Sequence, residues 1–124
     1  MRRSLRLALV ALGLVIVLSA CTPRELAVFS AITAKHREPV TDTQLRALRS
    51  CESGGRYAAV SPGGAYRGAY QFSRSTWDGV AARNYFWLEG LDPAQADWWW
   101  QDAMARALHA ERGWSPWPHC GANL

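Results

Sequence analysis

From Leu45 the apolar positions recur at helical spacing: Leu45, Leu48 and Cys51 fall on one face of a short helix. Thr41 or Asp42 caps its start, and Gly54-Gly55 marks where it must end. The period then changes. Tyr57 to Ser61 reads as a short strand, Pro62-Gly63-Gly64 as a turn and Tyr66 to Phe72 as a returning strand. In that hairpin Tyr66, Gly68, Tyr70 and Phe72 face one way, and Arg67, Ala69 and Gln71 the other. Ser73 is placed to cap a second helix carrying Trp77, Val80 and Ala81, and Asn84 to Leu91 reads as a loop containing Tyr85, Phe86 and Trp87. Asp92-Pro93 opens a last helix expected to run to Arg112 and stop at Gly113. Within it Trp98, Trp99 and Trp100 sweep about 200° of the helix circumference and cannot share one buried stripe. Trp100 aligns with Met104, Ala107 and Leu108 and is expected in the core, leaving Trp98 or Trp99 partly exposed. The expected class is α+β, mainly helical, with one short β-hairpin and one small domain over residues 41–124.

The first residues follow a different pattern. Residues 1–20 read as a signal peptide: a basic start, an apolar run from Leu7 to Leu18, then small residues. An ordinary membrane span needs about 20 apolar residues, and this run is shorter. Leu18-Ser19-Ala20-Cys21 resembles a bacterial lipobox, which makes Cys21 the lipidated first residue and 21–40 a tether to the outer face of the membrane. The other reading is ordinary cleavage nearby, with Cys21 a free thiol and the protein secreted to the wall.

Charge and cysteines narrow the partners. The 124-residue chain has a net charge of +4, but removing Arg2, Arg3 and Arg6 with the leader leaves 11 basic against 10 acidic residues. That balance gives no support to nucleic-acid binding. Of three cysteines, lipidation of Cys21 leaves Cys51 and Cys120 to form the expected disulfide. His36, His109 and His119 lack metal-ligand spacing, and the glycines form no phosphate loop, so no metal and no cofactor is expected.

The candidate chemistry centres on Glu52, in the last turn of the first helix. The negative end of the helix dipole disfavours a carboxylate there and raises its pKa. A carboxylic acid that keeps its proton near neutral pH suits glycosidic cleavage, because the leaving oxygen must be protonated as its bond breaks.

Four blocks then occur in order: Cys51-Glu52-Ser53-Gly54-Gly55, Tyr66-Arg67-Gly68-Ala69-Tyr70-Gln71-Phe72, Ser75-Thr76-Trp77 and Gly113-Trp114-Ser115-Pro116-Trp117-Pro118-His119-Cys120. Together they resemble the resuscitation-promoting factor and transglycosylase-like family of actinobacteria. The resemblance implies a small lysozyme-like domain, cleavage of peptidoglycan glycan strands and Glu52 as the catalytic acid. It also implies that Thr76 lies at the cleft, either bonding a sugar or merely capping its helix. Gln71 is expected to hold Glu52 or a sugar N-acetyl group, Tyr66 to stand on the cleft wall, and Trp98 and Trp99 to offer a glycan platform or rest on the hairpin.

Two departures qualify the match. Arg112 stands where the family has a polar amide before Gly-Trp, which puts that substrate contact in doubt; it is expected instead to meet the peptide carboxylates of peptidoglycan or to pair with Glu111 or Asp102. No second acid follows Glu52 until Asp78, which reads as a solvated helix residue, so a single-acid mechanism with hydrolytic or anhydro-sugar products is expected. The alternative function is a non-catalytic peptidoglycan-binding lipoprotein, acting in signalling or as partner of a wall hydrolase.

Overall fold

A computed structural model describes residues 40–124 together with Pro23, Arg24 and Ala27. The chain divides into two compact units, 1–32 and 33–124; in the first, Pro23, Arg24 and Ala27 are helical and exposed. The signal peptide, Cys21 and most of the tether lie outside the described residues, as does His36. Among the described residues no helix is long and apolar enough to cross a membrane.

The second unit is built on three α-helices. Helix α1, Asp42–Ser53, begins at a capping box: the Thr41 hydroxyl accepts the Gln44 amide at 3.2 Å, and the Gln44 side chain accepts the Thr41 amide at 3.0 Å. Leu45 and Leu48 are buried, whereas Cys51 is exposed on the turn that carries the bridge. Gly54 ends the helix with φ 67°, a left-handed conformation that favours glycine. Val40 is buried just ahead of α1, and the nearly buried Arg106 bonds both its carbonyl and the Asp42 carboxylate.

Residues 55–72 depart from the expected hairpin. They form no extended strand, only isolated antiparallel bridges pairing Val60 with Arg67 and Arg67 with Phe72. The alternation of Tyr66 to Phe72 fails because Gly68 and Gln71 take φ 81° and 51°, folding Gly68–Gln71 into a turn closed between Arg67 and Phe72 at 2.9 and 3.0 Å. Ala69, Tyr70 and Phe72 are therefore all buried, and Tyr66 points outward.

Helix α2, Arg74–Asn84, starts at Ser73, whose hydroxyl accepts the Thr76 amide at 3.2 Å. It buries Trp77, Val80 and Ala81, and the Trp77 indole donates to the Leu88 carbonyl at 2.9 Å. The loop expected after it contains one turn of 3-10 helix, Phe86–Leu88. Asp92-Pro93 does open a helical turn, but it is a 3-10 turn, Pro93–Gln95, and extended backbone at Ala96 separates it from α3, Trp98–Arg112. Trp100 is half-buried rather than a full core member: its ring packs 5.6 Å from both Tyr85 and Trp87, toward the surface.

The core consists of Leu45, Leu48, Tyr70, Trp77, Val80, Met104 and Leu108. The C-terminal segment closes over it. Trp117 packs edge-on to Phe72 at 6.3 Å and donates to the Tyr70 carbonyl at 3.0 Å. Cys120 then joins Cys51, with Cα atoms 5.8 Å apart, as expected from the cysteine count.

Candidate active site

A cleft of about 350 Å³ is bounded by the 66–72 turn, the start of α2, the end of α3 and the C-terminal segment. Three of the expected site residues meet there: Tyr66, Gln71 and Thr76. Tyr66 is 53% exposed and presents its ring to the opening. Gln71 holds its positive φ without being glycine, a costly backbone state. Its amide nitrogen donates to Gly68 O at 2.9 Å and locks the turn. Thr76 takes its place through the α2 cap, and its hydroxyl accepts from Ser73 Oγ at 2.9 Å. Arg112, Pro116 and Trp117 complete the opposite wall.

Glu52 is not one of the residues lining this cleft. It is tied to it through its neighbours. Ser53 is buried and donates to Ala69 O at 2.8 Å, two residues before Gln71. Cys51 is bonded to Cys120, two residues after the cleft-lining Pro118. Glu52 itself is half-buried in the last turn of α1, a turn with no basic residue. Burial raises its pKa, and the nearby charge of His119 opposes that rise. No hydrogen bond joins Gln71 to Glu52; the Gln71 amide nitrogen is engaged by Gly68 O.

The structure does not bring Trp98 and Trp99 into this cleft. They stack edge-to-face at 5.7 Å at the start of α3, and Trp98 is 58% exposed. Asp78 is half-buried and accepts the Gly90 amide at 2.8 Å, closing the loop after α2. Among the described residues no carboxylate lines the cleft, and no group of three or more His, Cys, Asp or Glu is placed to hold a metal.

Sequence reasoning missed the groups that support the cleft wall. Gln101 is 1% exposed; its Oε1 accepts the Ala69 amide at 2.8 Å, and its Nε2 donates to Tyr57 O at 3.0 Å and Ala96 O at 2.8 Å. Gly68 has to be small here as well as left-handed, because a Cβ would lie 2.5 Å from Gln101 Oε1. Beneath it Asp102 Oδ1 accepts two phenols, Tyr57 at 2.8 Å and Tyr70 at 2.6 Å. Burial and that bond push the Tyr57 phenol up to about 12, and Tyr70 higher still. Asp92, 7% exposed, receives Arg67 at 2.6 and 2.5 Å. The Arg67 bond holds its pKa low. A glutamine within a helix gives no sign of burial in a single sequence; the proximity of His119 to Glu52 was implicit in the disulfide pairing.

Comparison with known proteins places the chain in a family. The family model "Transglycosylase-like domain" matches residues 40–120. The chain is similar to probable transglycosylase SceD 3 of Staphylococcus saprophyticus, with 41% identity over 76 residues, 61% of this chain and 31% of that protein. It is similar to resuscitation-promoting factor Rpf1 of Corynebacterium glutamicum, with 34% identity over 95 residues, 77% of this chain and 47% of that protein. A probable transglycosylase SceD of Staphylococcus aureus matches at 40% over 76 residues, 61% of this chain and 32% of that protein. The chain thus spans less than half the length of each of these relatives. With residues 40–120 of the 124, most of the chain, inside the match, the chain belongs to the transglycosylase-like domain family.

Proposed function

We propose that the protein cleaves the glycan strands of peptidoglycan, as a lytic transglycosylase, with Glu52 as its single acid and base. The observation that carries this is Glu52 itself: a half-buried carboxyl at a helix C-terminus whose pKa burial raises, tied through Ser53 and Cys51 to segments that line a cleft holding no carboxylate of its own. The family membership and the names of the relatives support the same reading.

In the proposed reaction the protonated Glu52 gives its proton to the glycosidic oxygen as the bond to the anomeric carbon breaks. The 6-hydroxyl of the same sugar then attacks that carbon, and ionised Glu52 takes the hydroxyl proton. The products are a free 4-hydroxyl end and a 1,6-anhydro end; no water is consumed, and Glu52 returns to its protonated form. Thr76, Tyr66 and Gln71, which line the cleft, orient the sugars there. The exposed Trp98, backed by the half-buried Trp99, is a separate aromatic surface on which a longer strand can rest. Residues 41–124 act as the catalytic domain, exported by the leader and held by Cys21 at the outer face of the membrane or released to the wall.

The test is mass analysis of fragments released from purified peptidoglycan. Anhydro ends, one water lighter than hydrolytic ends, are expected. Reducing ends alone would replace the transglycosylase step by hydrolysis, and a folded protein that binds the wall and releases nothing would favour the non-catalytic binding module.

A further inference from the structure

A second depression, about 220 Å³, adjoins the cleft and shares Thr76, Leu108 and Arg112 with it. Among the described residues its lining holds two guanidinium side chains, Arg83 and Arg112, and no carboxylate. The two cations differ in what they meet. Arg83 is held by Glu111 at 3.2 and 2.7 Å, so its charge is already compensated. Arg112 is exposed at the end of α3, and its side chain makes no hydrogen bond or ion pair with a described residue.

The depression also contains a glycine that the fold does not require. Gly79 lies inside α2 with ordinary backbone, and a Cβ there would meet only the Arg83 guanidinium, at 3.5 and 3.9 Å. Glycine inside a helix is destabilising relative to alanine. Neither strain nor crowding accounts for it at this position; it keeps the floor of the depression open beside Arg83, in the same lining as Arg112.

We infer that this depression receives a carboxylate of the peptide stem that branches from the glycan, and that Arg112 is the residue that recognises it. The inference rests on the glycan-cleaving assignment above and deepens it. Peptidoglycan carries short acidic peptides on alternate sugars, so a strand in the larger cleft must send an anionic branch aside. Arg112 stands where the two cavities meet, and its planar fork matches a carboxylate in two parallel hydrogen bonds. The hydroxyls of Ser75 and Thr76 line the same depression and offer further donors and acceptors.

The experiment compares kcat/KM of the full chain on glycan strands bearing their stems and on the same strands stripped by an amidase. Arg112→Gln should lose about tenfold on stem-bearing strands, the worth of a charge-assisted hydrogen bond, and less than about twofold on stripped ones. Gly79→Leu, which fills the depression without touching Arg112's charge, should show the same selectivity. Equal losses on both substrates, or none on stem-bearing strands, would overturn the assignment. Calorimetric binding of a muramyl tripeptide to Glu52→Gln, with and without Arg112→Gln, separates this from the catalytic reading. Weaker binding in the double variant supports the depression even if wild type cleaves nothing, and unchanged binding sinks it even if cleavage is normal.

Discussion

Gln101 offers the sharpest test of how the cleft wall is held. Replacing it by methionine keeps the length and apolar packing of the side chain, so little cavity is created. What is lost is polar: the Ala69 amide and the Tyr57 and Ala96 carbonyls lose their side-chain partner in the interior. A buried amide left without an acceptor costs about 1–3 kcal/mol, and each lost neutral hydrogen bond about 0.5–1.5 kcal/mol. The expected loss is about 3–5 kcal/mol, since carbonyls tolerate an unpaired state better than amides. In a domain of this size each 1 kcal/mol shifts Tm by about 4–8 °C, so Gln101→Met should melt at least about 12 °C lower. Denaturant titration gives the free energy directly. Gln95→Met, the same exchange at an exposed position, serves as control and should change stability by less than about 0.5 kcal/mol. A Gln101→Met protein within about 1 kcal/mol of wild type would refute the view that this amide pins the 68–71 turn.

Other consequences follow from the same contacts. The Cys51–Cys120 bridge closes a separation of 69 residues; in the chain-entropy model its loss costs about 4 kcal/mol, read as a fall in the denaturation midpoint of Cys51→Ser/Cys120→Ser. A loss below about 1 kcal/mol would contradict that estimate. In the proposed mechanism Glu52 acts in its protonated form, so activity should fall as pH rises through its elevated pKa. His119 favours the ionised form, so His119→Ala should move this limb to higher pH; no movement, or movement to lower pH, would show that His119 does not act on Glu52. Asp92 has a lowered pKa in the folded state, so the stability it contributes is complete above the unfolded value of about 3.9 and is lost as pH falls through the lower folded value. Asp92→Asn should therefore flatten the acid side of the stability profile, and an unchanged profile would show that the Arg67 pair contributes nothing.

The helices were legible because their ends carry local chemistry. Thr41 with Gln44, Gly54, Ser73 and Gly113 each satisfy or release backbone groups by themselves, so a single sequence reveals them. The 66–72 segment was misread because its aromatic alternation imitates a strand, whereas the positive φ of Gln71 is set by tertiary packing and by its own bond to Gly68. Similarly, nothing local marks the break at Ala96, which the buried Gln101 amide accompanies by bonding the Ala96 carbonyl. Trp100 followed its helical stripe in register but not in depth: its ring lies between the buried Tyr85 and the exposed Trp87. Glu52, which lies outside the cleft lining, and Gln71, Thr76 and Tyr66, which line it, were picked out as candidates from motif and spacing. Ser53, Gln101 and Asp102 were not, since their roles exist only once α1, the turn and α3 are packed together.

The central claim is that Glu52 is the proton donor beside a glycan cleft. Its most direct test is turnover of purified peptidoglycan by wild type and Glu52→Gln, with wall binding and melting measured on the same samples. The glutamine is close in shape and cannot give up a proton, so release of soluble fragments should drop about a hundred- to ten-thousandfold while binding and fold remain. A folded Glu52→Gln that releases fragments at the wild-type rate would contradict the claim.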